Sequence, residues 1–306
     1  MASPAASEVY IIDASDRYHA VKALWHEVGL PSLDGKDVAV KANFNSDDPF
    51  PATTHPDTLE GILGQVRDAG ARTIRLGERS GMGETRAVLK NRGAVGIAAR
   101  MGAEVVALDD LPPEGWEAVP PDGLHWERGF LIARLFREAD AVVQTCCLKT
   151  HRFGGHVSLS LKNQVGAVAK RNPENGYNYM AELHASPHQR RMIAEINQFF
   201  PCDITIMDAT EGFSSGGPEK GGLIAPNVIL ASTDRVALDA AGIALLRSYG
   251  STPEVMRGRI FAMDLIARAA ELGIGVRSAQ DLRLVALDQE SKDLAFDMRR
   301  ILDETA

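Results

Sequence analysis

The 306-residue chain has only three cysteines, Cys146, Cys147 and Cys202, and no Cys-x-x-Cys pair. A cysteine-only zinc site or an iron–sulfur cluster is therefore not expected within it. An odd, partly adjacent set also makes no disulfide framework. Cys146 and Cys147 lie in an apolar run, where neighbouring strand side chains point to opposite faces, and read as core filler. No apolar run approaches the roughly 18 residues that a membrane-spanning helix needs. Positive charge is in deficit too: 33 Lys and Arg against 41 Asp and Glu give a net charge of −8. Phosphate backbones reward positive surfaces, so neither nucleic acid nor a membrane is the expected partner. Met1 to Glu8 carry no basic or apolar leader segment, and the reducing cytoplasm is the expected compartment.

What is present is an ordinary globular composition, 45% hydrophobic and 24% charged. Short apolar runs alternate with helical patterns. Strands are expected at Glu8–Asp13, Lys36–Lys41, Thr73–Leu76, Glu104–Leu108, Ala141–Leu148, Asp203–Met207, Asn227–Ala231 and Leu282–Leu287. Helices are expected at His19–Gly29, Thr58–Ala69 (capped by Asp57 or Thr58), Glu84–Met101, Leu131–Glu138 and Ser158–Val168. Further helices fit Gln189–Phe200, Arg235–Tyr249, Arg259–Leu272 and Ser291–Leu302. Leu111–Gly123, Arg171–Ser186 and Glu211–Gly222 read as loops. This rhythm predicts an α/β fold: a mostly parallel sheet with helices on both faces. Residues 1–306 read as one compact α/β unit, with a sub-lobe boundary near 111–123. In such folds ligands sit beyond the carboxyl ends of the strands, so residues just after strands are the ones to weigh.

Four strand ends carry concentrated chemistry. After Val38–Val40 come Lys41, Asn43 and Asn45, then Thr53 and Thr54; these suit carboxylate or phosphate oxygens, or an Asx-rich turn ahead of a helix cap. After Leu76 come Gly77, Glu78, Ser80, Gly81, Gly83 and Glu84, which suit a turn into a helix. The third glycine of a dinucleotide loop is missing, so a Rossmann fingerprint is not supported. The densest segment is Lys149-Thr150-His151-Arg152-Phe153-Gly154-Gly155-His156, followed by Lys162 and Asn163. Its lysines suit an anion, and a loop could bring His151 and His156 to one divalent metal. A solvated basic loop is the bland alternative, set against Lys162 and Asn163 lying inside an apolar helical pattern. The fourth end holds Asp208 and Glu211 before Gly216 and Gly217; two carboxylates there suit acid/base work or a salt-bridged turn. Asp234 and Asp239 follow the next strand, Asp234 as a helix cap and Asp239 one turn further on. His184 and His188 suit the surface, with a cap or a place in the pocket lining as the alternative for one of them.

In this order the strand ends resemble the DUF362 family, a group without an assigned function. The resemblance rests on Lys41-Ala-Asn43, Thr53-Thr-His-Pro56, Gly77-Glu-Arg-Ser-Gly81, Lys149-Thr-His151, Leu161-Lys-Asn163, Asp208 to Gly212 with Gly217-Pro218, and Ser232-Thr-Asp234 with Asp239. It covers a core of residues 36–245. Ala42 stands where the family pattern has proline. Many relatives resemble carriers of ferredoxin-like cysteine clusters; this chain has none, so the resemblance lends it no electron-transfer role. His151 to Lys162 also looks like the His-x-x-x-Gly…Gly-x-Lys segment of nickel-pincer lactate racemase-like proteins, over that one segment.

The residues together predict an enzyme on a small anionic substrate. His151, Lys149, Lys162, Asp208 and Glu211 would do acid/base work, with or without a divalent metal on His151 and His156. Lys41, Asn43, Asn45, Thr54, Ser80, Asn163, Gly216, Gly217, Asp234 and Asp239 would hold the ligand. The competing expectations are a non-catalytic binding protein for an anionic metabolite or metal cofactor, and a redox accessory protein.

Overall fold

The computed structural model describes residues 6–305; residues 1–5, part of the segment read for a leader, lie outside the described residues. The first part of the chain runs β1 (Ser7–Asp13), α1 (Arg17–Val28), β2 (Asp37–Lys41), α2 (Pro56–Asp68), β3 (Thr73–Glu78), α3 (Thr85–Asn91), α4 (Ala94–Met101) and β4 (Glu104–Ala107). The middle runs β5 (Trp116–Val119), β6 (Phe130–Ala133), α5 (Arg134–Arg137), β7 (Ala141–His151), β8 (His156–Val157), α6 (Ser160–Asn163), α7 (Tyr179–Ala185) and α8 (Gln189–Ile196). The last part is β9 (Ile204–Gly216), β10 (Gly221–Ile224), β11 (Val228–Ser232), α9 (Arg235–Ser248), α10 (Pro253–Met256), α11 (Asp264–Glu271), β12 (Leu282–Ala286) and α12 (Glu290–Glu304).

The main sheet has the order β12-β1-β11-β9-β7-β2-β3-β4, with β8 added to β7 and β10 to β9. β12–β1, β9–β7, β7–β2, β2–β3 and β3–β4 pair in parallel. β11 runs against both of its neighbours. This is the expected α/β architecture.

Side-chain alternation along the strands feeds two apolar layers. Val38, Val40, Val143 and Ile206 pack with Val21 and Leu24 of α1 and Ile62 and Leu63 of α2. Ala39, Val142, Cys146 and Leu148 face the other way, onto Ile193 of α8 and Leu238 and Leu245 of α9. Each Val, Leu or Ile side chain among these contributes about 1.5–3 kcal/mol when fully buried. Local signals set the helix ends. Asp16 accepts from the His19 N–H at 3.0 Å to open α1, and Gly29, at φ 66°, closes it in the left-handed region.

Several expected boundaries move. α2 starts at Pro56, with His55 rather than Asp57 or Thr58 as its cap, because proline at the first helical position needs no N–H partner. The helix read over Glu84–Met101 is broken into α3 and α4 at Gly93, whose φ is 78°. The stretch read as a boundary loop and a helix over 111–138 contains the β5–β6 hairpin. Trp116, Val119, Phe130 and Ile132 pack there into the same apolar layer as α8 and α9. Arg171–Ser186 contains α7. β7 and β9 run beyond their expected ends, to His151 and Gly216, and the helix read at Ser158–Val168 is one α-turn followed by a 3₁₀ turn.

Candidate functional site

β2, β3 and β7 are parallel neighbours, so their carboxyl ends share one rim of the sheet. Lys41 closes β2, Glu78 closes β3, and Lys149 and His151 lie in the last three residues of β7. α6 folds back over this rim and brings Lys162 and Asn163 to it. A cavity of about 760 Å³ opens between them.

Its floor is a closed polar network. Lys41 Nζ donates to Glu78 Oε1 at 2.7 Å, to the Ala42 carbonyl at 2.6 Å and to Asn163 Oδ1 at 3.4 Å. Glu78 also accepts from the N–H groups of Phe44 and Arg79, each at 2.8 Å. Both side chains are buried, and burial pushes the Lys41 ammonium below its ordinary value while Glu78 holds it up. Lys149 is buried beneath. Its ammonium donates to Asn43 Oδ1 at 3.1 Å and to the Ala52 carbonyl, and burial pushes its pKa down. Asn163 anchors to the Thr145 carbonyl at 3.0 Å and accepts from Asn43 at 3.3 Å.

Lys162 is different. It is half-buried, lines the cavity, and makes no hydrogen bond or ion pair among the described residues. Burial first, then the charges of Lys149 and Arg79, bring its pKa down to about 7. Beside it, His151 is buried and its Nδ1 has no partner among the described residues. Burial and the positive charges of Lys162 and Lys149 push the imidazole pKa far down, so the ring is neutral.

Two glycines let backbone close over these groups. A Cβ on Gly155 would sit 2.9 Å from His151 Nδ1 and 3.0 Å from Lys162 Cε. One on Gly166 would sit 2.9 Å from both Glu78 Oε1 and Lys41 Nζ. α6 itself is placed from outside: its own N-cap residue, Leu159, makes no side-chain cap bond. Instead Asp239 of α9, fully buried, accepts from the Ser160 N–H at 2.8 Å and the Leu161 N–H at 3.1 Å. Burial raises the Asp239 pKa to about 6.

The cavity lining holds Lys41, Arg79, Lys162, Lys170 and Arg171 against a single carboxylate, Glu78, which Lys41 already neutralises. Lys170 pairs with Asp109 at 3.2 Å, outside the lining. The space is thus electropositive inside an acidic protein.

The sequence-predicted residues divide. Lys41, Asn43, Asn45, His151, Lys162 and Asn163 line the cavity, with Lys149 behind them. Asp208 and Glu211 do not join them. Asp208 follows Ile204 and Ile206 along β9 and points with them toward α1 and α2, the face opposite α6. It accepts from Thr58 Oγ1 at 2.5 Å, Arg17 Nε at 3.3 Å and Thr210 Oγ1 at 2.7 Å. Glu211 is exposed on a second cleft of about 430 Å³ that Thr54 also lines; the Thr54 hydroxyl accepts from the Asn43 N–H. Ser80 is buried and donates to the Phe44 carbonyl at 2.6 Å. Gly217 takes a tight turn at φ 62°, accepting from Arg152. Asp234 caps α9 through Val236 and Ala237 and accepts from Ser7, away from the cavity. Glu78, Arg79, Lys170, Arg171 and the cavity-lining Phe153 and Met82 were not foreseen as site residues. Glu78 had a signal, since it sits inside the Gly77-Glu-Arg-Ser-Gly81 motif.

His151 and His156 face a third cleft, of about 310 Å³, and pair across the β7–β8 hairpin. Among the described residues no group of three His, Cys, Asp or Glu side chains is placed to hold a metal ion. Lys149 and Lys162 beside His151 repel a cation, so this donor set fits a divalent metal poorly. Cys146 and Cys147 are buried, and burial pushes both thiols up, Cys147 to about 12. No helix among the described residues is long and apolar enough to cross a membrane.

The model of the DUF362 family, a domain of unknown function, matches residues 38–244, more than half of the chain. No curated protein matches it. Among solved structures the chain is similar to the lactate racemase apoprotein from Thermoanaerobacterium thermosaccharolyticum, at 14% identity and a TM-score of 0.45. The match covers 75% of this chain and 55% of that one, so the chain spans little more than half the length of that protein.

Proposed function

We propose that this chain, which belongs to the DUF362 family, binds a small anion in the 760 Å³ cavity and exchanges a proton with it through Lys162. The observation that carries this is an amine that has no partner among the described residues, in a cavity whose one carboxylate among them is already taken. An ammonium half withdrawn from water favours an acceptor that replaces the lost hydration. Here the anion supplies it.

A pKa of about 7 leaves both forms of Lys162 populated at neutral pH, the condition for general acid/base work. The neutral amine takes a proton from an acidic C–H or O–H of the bound molecule and becomes ammonium. The electron pair stays on the ligand, where Arg79 and the Lys41 end of the floor offset it. Return of the proton restores the amine. His151 is too weak a base for this step; as a neutral ring it accepts or donates one hydrogen bond to orient the ligand. Asn163 and Asn43 offer further polar contacts.

A second reading, a non-catalytic binder of an anionic metabolite, is favoured by the commitment of Glu78 to Lys41 and two backbone N–H groups. That leaves no free carboxylate in the cavity lining to act as the second partner of an acid/base pair. NMR in deuterated buffer with a panel of 2-substituted carboxylic acids separates the two. Catalysis predicts solvent deuterium entering the ligand, with the rate falling about 10²–10⁴-fold in Lys162→Met. Saturable anion binding without exchange would leave the binder reading.

A further inference from the structure

The cavity is not uniformly polar. Its cationic floor is buried, whereas two of its rim residues are large, apolar and open: Phe153 is 48% exposed and Met82 is 41% exposed. Between floor and rim the wall is Phe44, Val165 and Met180. Phe153 stands edge-on to His151 at 5.7 Å between ring centres, so it covers the reacting end of the cavity rather than unrelated surface. Both rim residues sit beside glycine: Phe153 before Gly154, at φ 81°, and Met82 before Gly83, at φ 103°. Neither serves the core, since neither belongs to the two apolar layers. Exposed apolar side chains grouped at the mouth of a charged cavity mark a surface that a ligand covers.

Size points the same way. A volume of about 760 Å³ lies in the range that encloses a drug-sized ligand, roughly 300–1,000 Å³. An inorganic ion or a two-carbon acid at Lys162 would leave the half-buried Val165 and Met180 of the wall, with Phe153 and Met82, against water.

We infer that the ligand is an amphiphilic anion: a carboxylate or phosphate group carried on an aromatic or branched aliphatic body. The acid group meets Lys162 and Arg79, and the body lies along Val165, Met180, Phe153 and Met82. This rests on the anion-binding reading above and adds the chemical class of the ligand.

Isothermal titration calorimetry below pH 7, with the full chain, compares acetate with 3-phenylpropionate and inorganic phosphate with phenyl phosphate. The expected result is at least about tenfold tighter binding of the aryl member of the preferred pair. That ratio should shrink to under about threefold in the double variant Phe153→Ala, Met82→Ala. Lys162→Met should weaken both members of the pair. Whichever pair binds identifies the acid group. Equal affinity within each pair, or an aryl preference that survives the double variant, overturns the amphiphile and leaves anion binding standing. Failure of all four to bind overturns both.

Discussion

Two charged side chains near the same end of the sheet, Asp208 and Lys162, make an instructive pair. Asp208 is buried and saturated: Thr58, Arg17 and Thr210 all donate to it. Lys162 is only half-buried and has no partner among the described residues. Both sit in segments that look catalytic in sequence. One charge is finished by the fold and the other is left open by it. A finished charge holds elements together, here α1, α2 and β9. In the proposed reading the open one is the binding site, because the desolvation it suffers is repaid only when something else arrives.

The comparison can be broken first at Glu78. Glu78→Gln leaves Lys41 buried without a counter-charge and should cost about 3–5 kcal/mol in urea denaturation, with anion binding lost as the floor collapses. Asp208→Asn should cost less, about 1–3 kcal/mol, and leave anion affinity within about twofold. If Asp208→Asn instead abolishes binding, the two regions are one site and the distinction fails.

Gly166→Ala should cost about 1–3 kcal/mol by overpacking, because its Cβ meets the Lys41–Glu78 pair at 2.9 Å. Anion affinity should fall with it, measured by the same calorimetry.

Asp239 sharpens the comparison, since it is finished and yet serves the open site. Asp239→Asn should cost about 1–2 kcal/mol and loosen Lys162. Its folded pKa of about 6 lies above the ordinary 3.8. The stability it gives is therefore complete below pH 3.8 and lost as pH rises through about 6. Thermal denaturation across that window should show the slope in the native protein and not in the variant.

The smallest stability effect belongs to Lys162→Met, within about 1 kcal/mol at neutral pH, with at least about tenfold weaker anion binding. Because the folded pKa of Lys162 is below its ordinary 10.5, the native protein gains stability as pH rises from about 7 toward 10.5. The variant should lack that gain.

Much of this was legible in the chain. Alternation of apolar runs and helical patterns predicts the α/β sheet; Lys41, Asn43 and His151 stand out by their placement at strand ends, and Lys162 and Asn163 by lying inside an apolar helical pattern. The misplacement of Asp208 has a physical cause. The apolar run predicts a strand ending at Met207, whereas β9 continues to Gly216, so strand alternation still governs where Asp208 points. The β5–β6 hairpin was hidden by Pro and Gly in the flanking turns. Phe153 and Met82 were illegible as site residues because nothing local distinguishes a rim phenylalanine from a core one. Gly155 and Gly166 matter through close approach, which spacing alone does not reveal.

The most direct test follows the Lys162 amine itself, by NMR of isotopically labelled lysine assigned with Lys162→Met. A midpoint near 7 that climbs when phenyl phosphate or 3-phenylpropionate is added is the predicted result. An ordinary midpoint near 10.5, indifferent to every anion, would contradict the claim that this amine is held open for a ligand.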